Sequence, residues 1–216
     1  LPEPGTAVGG RAKRAVDLAI AVPLAVVLAP LMAAVAIAVR RDSPGPALFR
    51  QQRIGLNGRP FTLLKFRTMV VGAQSMGTGL KVTADDDRIT PLGRRLRSLS
   101  IDELPQLLNV LRGDMSIIGP RPTVAAQVER YDAHQRRRLL ARPGVTGWAQ
   151  VNGRNSIPWS RRIELDVEYV DRWSPLLDLR ILVRTLGVVF SRDDTYTGPQ
   201  GAFDLPERDH AAEEQA

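Results

Sequence analysis

This sequence predicts a mainly helical α+β fold with one small β-hairpin and a membrane-anchoring N-terminal segment. Three observations carry that reading. Leu104, Leu107, Leu108 and Leu111 recur at helical spacing. Residues 18–39 form one apolar run of 22 residues without a charge. Two strand-like segments, residues 47–54 and 61–69, flank an Asn57-Gly58 turn, which is a hairpin signal. At 216 residues, one globular domain with appendages is the natural count.

Residues 1–12 contain Gly and Pro and read as a flexible lead-in. The chain begins at Leu1 rather than Met, which suggests a piece of a longer protein. Residues 13–41 hold the apolar run between Lys13-Arg14 and Arg40-Arg41. The run is too long for a cleaved leader and lacks a small-residue cleavage site before a mature domain. As a straight helix it reaches roughly 33 Å, enough for a bilayer core of about 30 Å. Hydropathy alone therefore gives a spanning helix. Pro23 and Pro30 oppose that reading, because each removes an N–H and crowds the preceding turn. Basic pairs at both ends also give no asymmetry to set an orientation.

Residues 42–46 are a turn-rich exit into the hairpin. Phe61, Leu63, Lys65 and Arg67 share one face of the second strand, so Lys65 and Arg67 point toward one site or form a solvated basic face. Residues 70–86 are Gly-rich and polar and suggest a long loop. Residues 124–140 are helical in composition, with Arg136-Arg137-Arg138 as a solvated or membrane-facing edge. Residues 143–155 read as a loop or short hairpin in which Gly144, Gly147 and Gly153 allow close backbone approach. Trp148, Gln150, Asn152 and Arg154 give it a ring and polar tips suited to a nucleotide or sugar, although such a Trp is more often core. Residues 163–173 are an amphipathic helix. Residues 176–190 are an apolar helix too short to span, fit for the core or for the membrane surface. Residues 192–216 carry seven acids against two arginines and read as a disordered acidic tail.

The net charge of +7 divides into −5 on that tail and +12 on residues 1–191. Three of the thirty basic residues are lysines; the rest are arginines, which suit two-point phosphate contacts. A basic body of this kind meets nucleic acid, an anionic membrane or a phosphorylated substrate. The 5% aromatic content gives no stacking platform for nucleic acid. The absence of cysteine removes disulfides, thiolate metal sites and a Cys nucleophile. The two histidines, His134 and His210, sit in polar stretches ill suited to a catalytic triad.

The chemistry concentrates in residues 98–123. Asp102 and Glu103 stand side by side at the entry of the leucine-spaced helix, with Ser100 and Glu103 placed as a capping box. Pro105 sits late for that frame and moves the helix start a residue or two on. Arg112-Gly113-Asp114 reads as the exit, and Gly119-Pro120-Arg121-Pro122 as a rigid turn holding one guanidinium. Carboxylates with Arg97, Arg112 and Arg121 suit a metal-bound diphosphate, whereas a D-E pair alone is ordinary capping.

Ordered blocks across residues 13–190 resemble the bacterial sugar transferases, the monotopic phosphoglycosyl transferases. They are K-R-A-V-D (13–17), F-R-Q-Q-R-I-G (49–55), K-F-R-T-M (65–69), D-R-I-T-P-L-G (87–93), D-E-L-P-Q-L-L-N-V (102–110), G-P-R-P (119–122) and P-G-V-T-G-W-A-Q-V-N-G-R-N (143–155). The resemblance implies a helix–break–helix that enters one leaflet and returns, on the cytoplasmic face of the bacterial inner membrane. Its break falls at Ala29-Pro30, where the family commonly has Ser-Pro. It implies a catalytic domain over residues 42–191, and transfer of a sugar-1-phosphate from a UDP-sugar to a polyprenyl phosphate such as undecaprenyl phosphate, starting exopolysaccharide, capsule or O-antigen assembly. Asp102 becomes the nucleophile, and Glu103, sharing with Asp102, the ligand of Mg2+. Arg97 matches the family's phosphate-contacting arginine, with Arg121, Lys65, Arg67 and Arg88 as further phosphate contacts and Asp87 beside them. Glucose or galactose is the expected sugar and an N-acetyl amino sugar the alternative; homo-oligomerisation stays open. A non-enzymatic basic module would bind anions without turnover, and a many-helix prenyl-phosphate transferase would need several apolar runs.

Overall fold

The computed structural model describes residues 7–76, 86–153, 156–191 and Leu205. Helix α1 is Gly10–Asp42, 33 residues that continue through Pro23 and Pro30. The break at Ala29-Pro30 therefore does not divide it into two helical segments. Each proline still deprives the carbonyl four residues back, Ala19 or Val26, of its helical donor. Val22, Val26, Val27 and Ile37 on this helix are exposed. By length and composition α1 can cross a membrane.

Both ends of α1 rest on the same body. Near its start, Arg14 donates to the carbonyls of Val110 (2.5 Å) and Leu111 (2.9 Å). Asp17 accepts from Ile117 N–H (2.9 Å) and Ser116 Oγ (2.8 Å). Near its end, Val35 and Val39 pack with Phe66 and Leu96. The lead-in is anchored where described: Ala7 and Val8 are buried, and Val8 N–H donates to Leu140 O at 3.2 Å.

Strands β1 (Leu48–Ile54) and β2 (Pro60–Phe66) pair antiparallel, with Phe49 opposite Lys65. Asn57 (φ +54°) and Gly58 (φ +76°) take left-handed conformations in the connecting turn, as the Asn-Gly pair requires. Past β2, Met69 forms a single bridge with Ile89. Helix α2 (Pro91–Ser98) has no counterpart in the sequence expectations. Thr90 Oγ1 caps it by accepting from Gly93 N–H (3.0 Å), and Pro91 takes the first helical position.

The expected capping box does not form. Ser100 is left-handed (φ +55°) and makes no side-chain cap; residues 101–103 form a 3-10 turn, and α3 begins after Pro105 (Gln106–Arg112). Gly113 at φ +92° ends α3.

Strand β3 (Ser116–Ile118) pairs in parallel with β4 (Gly144–Thr146), which replaces the loop or hairpin expected over residues 143–155. The long helix expected over residues 124–140 is also replaced. A four-residue α4 (Ala125–Val128) is followed by a turn and a 3-10 helix at Gln135–Leu140. Asp132 accounts for the restart, since its Oδ1 accepts from Gln135 N–H at 2.7 Å. Helices α5 (Trp148–Val151), α6 (Trp159–Asp171) and α7 (Pro175–Ser191) complete the order. The main core joins Ala21 of α1 to Leu63, Leu107, Val110, Met115, Ile118, Tyr169 and Ile181. The expected acidic tail lies outside the described residues except Leu205, which is buried against Val128, Tyr131, Ile163 and Val167.

Candidate active site

The turn over residues 101–103 places two adjacent carboxylates in one cavity of about 190 Å³. Lys65 of β2 and Arg121, beyond β3, converge on Glu103. Lys65 Nζ is 2.7 Å and Arg121 Nη2 2.9 Å from Glu103 Oε1. Lys65 Nζ also lies 4.0 Å from Asp102 Oδ2. No described residue donates a hydrogen bond to Asp102, although it is buried. Arg97, on α2, lines the same cavity and donates from Nε to Thr68 Oγ1 at 2.8 Å.

The two carboxyls are pushed in opposite directions. Burial raises the Asp102 carboxyl above the ordinary carboxylate range; Lys65 opposes that rise, and the negative charge of Glu103 adds to it. Burial acts the same way on Glu103, but the charges of Arg121 and Lys65 and their hydrogen bonds outweigh it and hold this carboxyl well below that range. Neighbouring carboxyls separated in this way are a pattern of functional sites.

Backbone contact sets the position of Arg121. A Cβ at Gly119 would lie 2.2 Å from Arg142 O, at Gly144 2.1 Å from Gly119 N, and at Gly147 2.1 Å from Gly119 O. Only glycine lets these three segments stack so closely. The close approach expected at Gly144 and Gly147 is therefore present.

Of the other expected site residues, Gln150 lines the cavity. Arg67 does not point at the carboxylates: its guanidinium donates to the carbonyls of Pro46 (2.8 Å), Pro44 (2.7 Å), Ser43 (2.7 Å) and Val39 (3.3 Å). The strand ends at Phe66, so Arg67 leaves the face that Lys65 occupies. Arg88 is engaged by Asp86 (2.6 and 2.8 Å) and by the carbonyls of Ala73 and Met76. Trp148 packs on the core with Arg180 and Arg184 at 5.7 and 5.4 Å from its ring centre. Asn152 bonds Trp148 O and Arg184. Arg154 lies outside the described residues.

Arg138, Asp166, Trp159 and Arg162 line the cavity without having been expected there. Arg138 is no solvated edge: it is buried and donates to Asp166 Oδ2 (2.5 and 3.1 Å), Tyr131 Oη (2.7 Å) and Arg121 O (2.9 Å). The signal for this pair was Asp166 itself, a carboxylate on the apolar face of an amphipathic helix between Ile163 and Val167.

A second, larger groove of about 1020 Å³ adjoins the carboxylate cavity. Ala36, Ile37 and Arg40 of α1 form one side, and Lys65 and Arg97 line both spaces.

Paired carboxylates, converging cations and a neighbouring apolar groove suit an enzyme site, and the helix beside it is long and apolar enough to cross a membrane. The family model for bacterial sugar transferases matches residues 8–192, and the chain belongs to that family of enzymes. It is 49% identical over 174 residues to a sugar transferase of Bacillus subtilis, covering 81% of this chain and 85% of that one. It is 45% identical to the UDP-glucose:undecaprenyl-phosphate glucose-1-phosphate transferase of Caulobacter vibrioides, over 90% of this chain and 75% of the relative. To the undecaprenyl-phosphate galactose phosphotransferase of Salmonella typhimurium it is 39% identical, over 85% of this chain and 41% of the relative.

Proposed function

We propose that the chain transfers a hexose-1-phosphate from a UDP-hexose, glucose or galactose, to a polyprenyl phosphate such as undecaprenyl phosphate, through a covalent intermediate on Asp102. The carrying observation is Asp102: buried, lining the cavity with the cations Lys65, Arg97 and Arg121 that act on its charge, and accepting no hydrogen bond from the described residues. An Asp102 oxygen attacks the sugar-linked phosphorus. The bridging P–O bond breaks and UMP leaves with the bridging oxygen. An oxygen of the polyprenyl phosphate then attacks the same phosphorus, freeing the carboxylate and forming the polyprenyl diphosphate sugar. Arg97, Arg121 and Lys65 offset the charge on the phosphoryl oxygens. The groove shared at Lys65 and Arg97 gives the prenyl chain an apolar seat within reach of the same phosphorus.

Asp102 and the second oxygen of Glu103 fit Mg2+, which takes one or two carboxylates together with substrate phosphate oxygens. When bound there, the ion would neutralise diphosphate charge. Lys65 and Arg121, held on Glu103 Oε1, keep that side chain oriented in either state.

The anchoring of α1 supports a re-entrant rather than spanning membrane segment, on the cytoplasmic face of the inner membrane. A spanning helix puts its ends on opposite sides of a core about 30 Å thick, yet residues 14–17 and 35–39 pack on one body. Pro30 supplies the place for a bend.

Donor and Mg2+ without acceptor should release up to one equivalent of UMP and add a hexose phosphate to the protein mass. An unmodified mass from an enzyme that turns over with acceptor would remove Asp102 as nucleophile and favour direct attack by the lipid phosphate.

A further inference from the structure

Gln150 and Asp166 line the cavity together with the two carboxylates, and three of their buried polar atoms have no hydrogen-bond partner among the described residues: Gln150 Nε2, Gln150 Oε1 and Asp166 Oδ1. Gln150 is 9% exposed and Asp166 1%. Buried polar groups are rarely left so, because each lost partner costs free energy comparable to a hydrogen bond or more. The fold holds both side chains in place. Arg138 occupies the other oxygen of Asp166 (2.5 and 3.1 Å) and directs Oδ1 elsewhere. Gln150 folds back over Gly147, where an added Cβ would lie 2.9 Å from its Oε1.

The chemistry of the three atoms selects their partner. A carboxylate oxygen repels phosphate, so the phosphoryl groups belong at Lys65, Arg97 and Arg121. An amide that donates and accepts, beside an oxygen that accepts, matches hydroxyls, which do both. A uracil would want a flat slot, but Arg162 lies 5.3 Å over the ring of Trp159. The cavity is also small, and it contains Asp102. Once UMP has left, what remains attached there is a hexose phosphate.

We infer that Gln150 and Asp166 form the hexose-recognising wall of the donor site, hydrogen-bonding ring hydroxyls of the sugar whose phosphate meets Asp102. This rests on the donor proposed above. Arg138 is a positioning residue for Asp166, and its contact with Arg121 O ties the sugar wall to the phosphate side.

The test compares wild type with Gln150→Leu, full-length in detergent, on UDP-glucose, UDP-galactose and their 3-, 4- and 6-deoxy analogues, reading UMP release. UMP affinity is measured by calorimetry, and folding by Tm. Leu keeps the volume and loses an amide without a protein partner, so Tm should hold; Gln150→Met serves if it does not. Wild type should reject at least one deoxy analogue by about ten-fold or more. Gln150→Leu should lower kcat/KM for the parent hexose by about ten- to a hundred-fold and bring parent and analogue within about three-fold, with the Kd for UMP unchanged. Equal losses in UMP and donor affinity would assign the wall to the nucleotide and overturn the inference. Unchanged discrimination in a folded variant would overturn it too, while leaving the transfer reaction standing. No UMP release from any UDP-hexose by wild type would remove the proposed function, and the hexose wall with it.

Discussion

At the scale of single residues, Asp102 joins the proposed role of nucleophile to a cost in stability. Its carboxyl is raised by burial, so the folded state binds its proton more tightly than the unfolded chain. Stability contributed by the protonated form is lost as pH rises through that value, and at neutral pH the ionised group opposes folding. Asp102→Asn should therefore abolish acceptor-independent UMP release and the protein adduct while Tm stays level or rises. A large fall in Tm would mean that the carboxylate is structural. Lys65 lowers the Asp102 value, so Lys65→Met should move the acid limb of the kcat/KM profile to higher pH, whatever it does to the maximum. An acid limb unmoved or shifted to lower pH would show that a different group sets it.

At the scale of elements, Arg67 belongs to architecture. Its guanidinium closes the end of α1 by binding four carbonyls between Val39 and Pro46. Arg67→Gln should destabilise by about 2 kcal/mol or more, since hydrogen bonds to a charged group are strong and carbonyls are left without donors. In a chain of this size that is a Tm loss of roughly 4–8 °C, measured by thermal unfolding. A Tm within a degree of wild type would return Arg67 to the candidate substrate contacts.

The same residue marks where the sequence was legible. Alternation along β2 placed Lys65 and Arg67 together, but the strand ends at Phe66 and the alternation ends with it. The hairpin was readable because Asn57-Gly58 demands left-handed backbone, and α3 because its leucines and Gly113 mark both its face and its end. The parallel pair of β3 and β4 was not, since three-residue strands 28 residues apart have no local signature. Trp148 and Asn152 looked functional as ring and polar tip, and tertiary packing on α7 absorbed both. Arg138 and Asp166 were hidden for the opposite reason: each is unremarkable in sequence until the fold brings them to 2.5 Å.

At the scale of the whole molecule, the apolar face of α1 and the body beneath it form one object. Single cysteines in this cysteine-free chain, Ala12→Cys and Asp42→Cys, should label from the same side of sealed vesicles. Both positions are exposed, so labelling reports side rather than burial. Labelling from opposite sides would establish a spanning helix and detach the two ends of α1 from one body.

A helix fastened at both ends has a further property. An ordinary membrane helix answers a change of bilayer thickness by tilting, but Arg14, Asp17 and the Arg67 clamp leave α1 no free end about which to tilt. If α1 is re-entrant as proposed, the bilayer deforms around the protein, and the polypeptide sets the height of Asp102 above the lipid phosphates. Nanodiscs of short and long acyl chains should accordingly give the same rate of acceptor-independent UMP release. Transfer to polyprenyl phosphate should differ between them, because only the acceptor follows the membrane surface as it moves.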